Sequence, residues 1–330
     1  MARRVTIKTI AEDLGISHMT VSRALSNSTN VRRETRELIR KRAAEMGYVK
    51  SAAASAMRGD ATRIVGLLVP NLVNEFYARF ANTLALLCED NDLHLITHLT
   101  NDDPNRERLA LMKLQELQTN AVVTVPAPAT QPHGKQLFQG MKPIQFIRTQ
   151  PLPFASDSIV IHDAEAIRQA VGHLVSRGHQ RISYFGGHAS LSSGRQRKAA
   201  FLEAMEAHNL TVHEGLIQTD SPSFEMGARK AAAVLAGQID SSAIICGGFE
   251  ISNGALDACL RANAVFPRDV AFVGYGDPGF YRWIQGGITT ISLPIDQLAE
   301  QALQRLLQLD PDAPVQQHGF AAEFILRASA

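Results

Sequence analysis

The sequence predicts an α/β protein in two parts: a small basic helical head, then a larger core of parallel sheets folded as two doubly wound lobes. Three observations predict it. Residues 6–48 carry helical apolar spacing interrupted at glycines, the charge changes sign near residue 63, and beyond that point short apolar runs alternate with helical stretches. With 330 residues, 45% of them apolar and 20% charged, the chain exceeds one small core and has the apolar content to fold throughout. No apolar run approaches the roughly 20 residues that cross a bilayer. Met1–Thr6 leads into amphipathic sequence, not into a signal-peptide core. Cys88, Cys246 and Cys259 lack metal-ligand spacing. A reduced, cytoplasmic protein without disulfides, zinc site or membrane partner is expected.

The net charge of +1 conceals a division. Residues 1–63 hold 13 Lys/Arg and six acids, or +7, whereas the remaining 267 residues hold 20 basic and 26 acidic groups, or −6. Such a split suggests a basic module that releases counterions from phosphate, joined to an acidic body; a merely solvated basic face is the alternative.

In the head, Thr6 can cap a first helix whose Ile7, Ile10, Ala11 and Leu14 share one face. Gly15 ends it and Ile16 plugs the turn. Ser17 can cap a second helix from His18 to about Ser26, with Val21, Ala24 and Leu25 inward and Ser17, His18, Met19, Ser22 and Arg23 outward. A third helix is expected from about Arg33 to Met46, with Leu38, Ile39, Ala43 and Met46 inward and Gly47 at its stop. Two short helices joined by a glycine-containing turn form the motif that lays its second helix in the DNA major groove. A generic three-helix bundle is the alternative, but it leaves the outward polar, basic helix without a purpose.

The string from Thr6 to Ser26, with the later Glu34-Thr35-Arg36 and Met46-Gly47-Tyr48, closely resembles the head of the LacI/GalR family of bacterial repressors, and the resemblance extends over the whole chain. It implies that His18 and Met19 are the main base-reading side chains, with Arg23 a third. Ser17, Thr20 and Ser22 would position the helix on phosphates, and Thr6 and Asn30 complete the expected DNA-contact set. Two departures stand out. Arg32 replaces the serine that usually caps the third helix, exchanging a cap worth about 1 kcal/mol for a phosphate contact. In the alanine-rich linker Val49–Gly59, Ser51 and Met57 take the places of the family's asparagine and minor-groove leucine; methionine is an accepted apolar wedge, and a plain flexible tether is the alternative.

Beyond Arg63, runs at Ile64–Val69, Leu93–His98, Ala121–Val125, Ile144–Ile147, Ile182–Phe185, Ala243–Cys246 and Val270–Tyr275 read as buried strands. Helical spacing fills Tyr77–Asn91, Glu107–Leu117, Ala164–Arg177, Arg197–His208 and Phe224–Ala236. This alternation implies parallel sheets, and ligands bind outside the carboxyl ends of their strands. The resemblance implies a periplasmic-binding-protein-like core that senses a small molecule. The expected divisions are a head over 1–48 (motif about 7–26), a linker over 49–62 and a core over 63–330, with one lobe about 63–160 plus 292–320 and the other about 161–291 plus 321–330. The chain stops shortly after Phe324-Ile325-Leu326-Arg327 without the leucine-heptad helix of tetrameric members, so a homodimer is expected.

Enzymatic readings fail on the residues. There is no phosphate-binding loop, Gly186-Gly187-His188 lacks dinucleotide-turn spacing, and His94 and His98 fall in a strand pattern. Asp102-Asp103 before Pro104 reads as a turn and helix cap. No cofactor is expected. A stand-alone periplasmic-type binding protein is the other class, against which the helix-turn-helix argues.

In the sensor, the resemblance places Asn74 and Phe76 in the ligand loop and Arg195 at a ligand-binding arginine. The aspartate that commonly clamps sugar hydroxyls is Gly276 here, followed by Asp277, and the usual Asn-Asp pair is Gly248-Phe249. Where some members carry an acid, this chain has Arg148. Acceptors are depleted and arginine is gained, which favours an anionic effector such as a sugar acid or sugar phosphate over a neutral sugar. Asp277 or Asp157 would then balance the arginines, and a salt bridge from Arg148 to Asp157 or another local acid is the alternative role.

A twofold dimer presents two recognition helices, so the operator should be an inverted repeat with abutting half-sites around a central CpG step. Selection from randomised oligonucleotides tests this; a direct repeat contradicts it. Replacing His18 and Met19 together should alter the preferred bases. Arg32→Ala should instead weaken all sequences alike and lower the salt slope by about one.

Overall fold

The structure, a computed structural model, describes residues 5–25, 31–48, 63–128, 133–308 and 314–330; Asn30, Ser51 and Met57 lie outside them. The chain divides into two compact units, residues 1–62 and 63–330.

In the first unit, α1 (Ile7–Leu14) starts at a capping box in which the Thr6 hydroxyl accepts from the Thr9 amide and the Thr9 hydroxyl accepts from the Thr6 amide. It ends at Gly15, whose φ of 64° is one that glycine takes without Cβ strain. At the start of α2 (His18–Leu25), Ser17 Oγ accepts from the Thr20 amide at 3.1 Å. Helix α3 (Arg33–Glu45) has no side-chain cap bond at Arg32. Ile10, Val21, Ala24 and Ile39 are fully buried between the three helices. Leu38, expected inward, is 56% exposed. The buried stripe of α3 runs through Ile39 and Ala43, and Leu38 lies about 100° of helical rotation from Ile39. Arg42 clamps Asp13 through Nε and Nη2 at 2.5 and 2.8 Å, fastening α3 to the end of α1 and lowering the Asp13 pKa.

The second unit contains two six-stranded sheets, ordered β11-β5-β4-β3-β1-β2 and β12-β10-β9-β8-β6-β7. The first comprises β1 (Ile64–Val69), β2 (His94–Leu99), β3 (Ala121–Thr124), β4 (Lys142–Phe146), β5 (Asp157–His162) and β11 (Gln317–Ala321). Helices α4 (Glu75–Asp90), α5 (Pro104–Glu116) and α10 (Ile295–Leu307) belong to this lobe. The second lobe has β6 (Ile182–Gly187), β7 (Ile217–Asp220), β8 (Ala243–Gly247), β9 (Ala271–Tyr275), β10 (Thr289–Ser292) and β12 (Glu323–Ile325). Its helices are α6 (Ala164–Ser176), α7 (Ser192–Ala207), α8 (Phe224–Leu235) and α9 (Phe249–Arg261). The strands pair in parallel except β12, which runs antiparallel to β10. Strand β12 follows β11 after the single residue Ala322, so the chain steps directly from the edge of one sheet to the edge of the other.

The chain passes between lobes at Asp163, at Leu293–Pro294 and at Ala322. The Ala322 amide donates to the His162 carbonyl at 3.1 Å, joining two of these crossovers. In the second lobe α8 and α9 pack with backbones in close approach: a Cβ on Gly227 would lie 2.0 Å from the Ile251 carbonyl oxygen, and one on Gly254 1.9 Å from that of Phe224.

The first lobe is pinned by a buried ion pair. Asp157 accepts from Arg305 Nε at 2.8 Å, Lys142 Nζ at 3.0 Å and the Gln316 amide at 2.9 Å, which ties β5 to α10, β4 and the start of β11. Burial opposes the carboxylate charge, but the Gln316 amide, Lys142 and Arg305 more than offset it and lower the Asp157 pKa. A lowered folded-state pKa contributes stability above the ordinary aspartate range and loses it as pH falls through the folded value. Arg305→Met should therefore cost about 3–5 kcal/mol near neutral pH, with a smaller deficit in acid. Urea unfolding across pH checks this; equal stability of both proteins at neutral pH contradicts it.

Candidate functional site

Two surfaces bear on function, one in each unit. On the head, Ser17, His18, Met19 and Arg23 are exposed along α2, while Thr20 and Ser22 are half-buried. Met19, 54% exposed, contributes nothing to the head's core, so its apolar side chain is free to meet a partner. Arg32 and Thr6 are exposed as well. The α2 face thus combines a cation, hydroxyls, an imidazole and an apolar tip, groups chemically suited to base edges and phosphates.

The second surface is a cleft of about 90 Å³ between the lobes of the core. Both sheets reverse strand order beside their first strands, β1 and β6, and the cleft opens at those carboxyl ends. From the first lobe come Asn71, Asn74, Tyr77, Asp102 and Arg148; from the second come Ser193, Arg197, Phe249 and Glu250. Helices α4, α7 and α9 all begin at the cleft, so their unpaired amides add partial positive charge there.

Arg148 follows Ile147, which sits at φ 64°. A β-branched residue in the left-handed region is strained by about 1–3 kcal/mol. Bonds from the Ile147 amide to the Ile159 carbonyl (2.8 Å) and from the Arg148 amide to the Phe146 carbonyl (2.6 Å) hold the turn that sends Arg148 into the cleft. There its two amino groups meet Asp102 at 2.5 and 3.3 Å. Burial opposes the Arg148 charge, while Tyr77 and Asp102 outweigh that effect and keep its pKa above the ordinary arginine value.

Arg197 enters from the opposite lobe. Its Nε donates to Asp163, its Nη1 donates to the Gly247 carbonyl at 3.2 Å, and its guanidinium carbon lies 4.4 Å from the Tyr275 ring centre. The Tyr275 hydroxyl donates to the same Asp163 carboxylate at 2.7 Å. Burial opposes the Arg197 charge and Asp163 restores it, raising the pKa overall. Glu250 is raised as well, by burial and by Glu225.

The expected effector residues divide. Asn74 lines the cleft, but its side chain also caps α4 by accepting from the Phe76 amide at 3.0 Å. Phe76 is buried against Phe146 and faces a neighbouring interlobe cavity with Asp277. Asp277 is clamped by Arg327 at 2.6 and 2.8 Å and balances neither cleft arginine. Asp157 is likewise engaged by Arg305 and Lys142, so Arg148 finds its counter-ion in Asp102 instead. Arg195 is exposed, and its Nη1 donates to the carbonyls of Ala189 and Ser190. On α7, Ser193, Gly194 and Arg197 face the cleft; Arg195 lies about 200° round the helix from Arg197. Helical spacing from the buried Phe201 back to Arg197 identifies the arginine that faces inward. Asp102, read as a turn residue, leaves the capping of α5 to Asp103, which accepts from the Asn105 amide at 2.8 Å.

Phe249 lines both cavities. A Cβ on Gly276 would fall 2.3 and 2.5 Å from two of its ring carbons, and Gly276 has φ 84°. The ring and the missing side chain are therefore one feature: the aromatic occupies space that any other residue at 276 would claim.

Residues 6–51 match the description "Bacterial regulatory proteins, lacI family", and residues 171–330 match a periplasmic binding protein-like domain. The probable HTH-type transcriptional repressor ExuR of Bacillus subtilis (strain 168) is 25% identical over 338 residues, covering 98% of each chain. The ribose operon repressor of Escherichia coli (strain K12) is 24% identical, covering 94% of this chain and 95% of its own. The head is that of the lacI family of regulators. The chain's fold matches that of the lac repressor dimer bound to operator and the anti-inducer ONPF, with TM-score 0.84, 20% identity and 99% of each chain covered. A second solved relative, the transcriptional regulator CelR in complex with cellobiose, gives TM-score 0.71 at 21% identity over 99% of this chain and all of its own. With this head and these relatives, the chain is a DNA-binding transcription regulator and not an enzyme.

The α7 geometry makes a prediction about the two arginines. Against any compound that stabilises the core in a thermal-shift screen of sugars, sugar acids and sugar phosphates, Arg197→Ala should lower affinity roughly ten- to hundredfold. Arg195→Ala should leave it within about twofold, since solvent-exposed changes away from a ligand are nearly neutral. Equal losses, measured by calorimetry, would return Arg195 to the site.

Proposed function

We propose that the chain is a cytoplasmic, homodimeric repressor whose operator binding is set by a small anionic sugar derivative, a sugar acid or sugar phosphate, held between the lobes. One observation carries the reading: Arg148 from the first lobe and Arg197 from the second enter the same cleft. Closing the lobes brings like charges together, which is unfavourable, and the Arg197 charge already lowers the preference of Arg148 for its charged form. An anion between them converts that repulsion into two attractions, so it favours closure selectively. A ligand shifts a conformational equilibrium only by such differential affinity. The helix starts at the cleft add amide donors of the same sense. The small volume suits a compact ligand.

Closure then alters the spacing of the linkers that carry the heads, and so the population competent to bind operator. The dimer follows the lac repressor, which binds operator as a dimer. Trp283, 81% exposed, is the kind of apolar side chain that a protein interface covers. By this reading the exposed α2 face, with His18, Met19 and Arg23, enters the major groove.

A neutral sugar is the second reading, favoured by the acceptors Asp102 and Glu250 in the cleft and by the cellobiose complex of CelR. Calorimetry separates the two. Gluconate, glucuronate or glucose 6-phosphate should bind more tightly than glucose by at least about tenfold, because a charge-assisted bond is worth about 1.5–3 kcal/mol. Arg148→Ala should remove most of that difference. Glucose binding as well as the acids, and surviving Arg148→Ala, would show that Arg148 serves only Asp102.

A further inference from the structure

Asp163 stands at the crossover from β5 to α6 and heads that helix, yet its carboxylate makes no cap bond. Aspartate at a helix start readily accepts from the helix amides, so its diversion has a cause. The carboxylate, 5% exposed, accepts instead from Arg197 Nε and from the Tyr275 hydroxyl. Arg197 lines the cleft, Tyr275 ends β9, and Asp163 itself is one of the three connections between lobes. Its preceding residue, His162, accepts through its carbonyl from Ala322, a second connection. A single buried carboxylate thus links the floor of the cleft to two of the three strands on which the lobes move. With Nε on Asp163 and Nη1 on Gly247, Arg197 Nη2 has no protein partner among the described residues.

We infer that Asp163 is the positioning residue through which occupancy of the cleft is read at the hinge. It holds the guanidinium with one amino group toward the ligand, and a bound anion competes with it for the same positive charge. Occupancy then loosens the Arg197–Asp163 tie at the crossover, where small torsional changes become lobe rotation. This rests on the cleft being the effector site, but the hinge role can be tested without a ligand.

Asp163→Asn keeps the shape and one acceptor while removing the charge. The full chain carrying it should bind gluconate or glucose 6-phosphate at least threefold more tightly, because the competing carboxylate charge is gone. Its operator affinity should no longer respond to that ligand, whereas a wild-type response is expected within the usual range of about 5–150-fold. A merely destabilised cleft would lose affinity, so tighter binding with lost coupling distinguishes the relay from a structural role. Tyr275→Phe deletes one donor to the same carboxylate and leaves more of its charge for Arg197, so it should weaken binding of the anion, and it serves if Asp163→Asn does not fold. Hydrogen exchange of the ligand-free chain supplies the independent arm. Peptides over residues 160–168 and 320–324 should exchange at least threefold faster in Asp163→Asn, with those over α1 and α2 unchanged. Unchanged exchange at the crossovers, or a full ligand response in Asp163→Asn, overturns the inference. If no anion binds the wild type but the crossover peptides still speed up, the effector reading fails and the hinge role stands.

Discussion

A guanidinium withdrawn from water needs an acid beside it, because the loss of hydration is worth several kcal/mol and only close, hydrogen-bonded pairing compensates. The core places two such groups at the meeting of its lobes, and much of the local architecture follows from neutralising them. Arg148 takes Asp102 from the loop after β2, and Arg197 takes Asp163 from the crossover into α6. Each pair lies within one side of the cleft, so neither lobe depends on closure for charge balance. The open and closed arrangements can then be close in energy, which is the condition for a small ligand to choose between them.

The same economy explains the position of Phe249. A side chain at residue 276 would collide with its ring, so the loss of a polar group at one position and the gain of an aromatic at the other are coupled. The ring lies between the arginine-lined cleft and the cavity bordered by Phe76 and Asp277. Asp277 faces that second cavity with its carboxylate already held by Arg327. The polarity of the cleft is therefore concentrated on the arginine side, with an apolar wall opposite.

What was legible in the sequence follows from how local each signal is. The head could be read residue by residue: Thr6, Gly15, Ser17 and Gly47 act on their own helices, and only the side of α3 taken by Leu38 was misjudged. Strands such as Ile64–Val69 and Ala243–Cys246 announce themselves because a parallel strand covered on both faces is a continuous apolar run. Strand β11, Gln317–Ala321, is an edge strand with exposed residues at alternate positions, and β7 is equally half-covered; neither forms such a run. The helices Phe249–Arg261 and Ile295–Leu307 lie outside the expected set although their spacing is ordinarily amphipathic. The cleft was harder because its pairings are long-range. Arg148 and Asp102 are 46 residues apart and Arg197 and Asp163 are 34 apart, and no periodicity connects them. Arg195 and Arg197 are separated by helical face and not by distance: with α7 beginning at Ser192, Arg197 lines the cleft and Arg195 is exposed.

Strain at Ile147 bears on why the first lobe presents Arg148 so rigidly. Glycine would take φ 64° freely, and an isoleucine there persists only if its surroundings over-determine the turn. They do. Ile147 is held by the Ile159 carbonyl, its side chain is buried in the first-lobe core, and Phe146 before it stacks on Phe80 with ring centres 3.9 Å apart. The branched side chain serves the core while its backbone redirects the chain, so packing energy from the lobe interior is converted into a fixed direction for the next residue. A glycine at 147 would relieve the torsion but surrender that burial and leave the turn free to sample other conformations. The cleft arginine is thus oriented by the backbone of an apolar residue whose side chain is committed to the core.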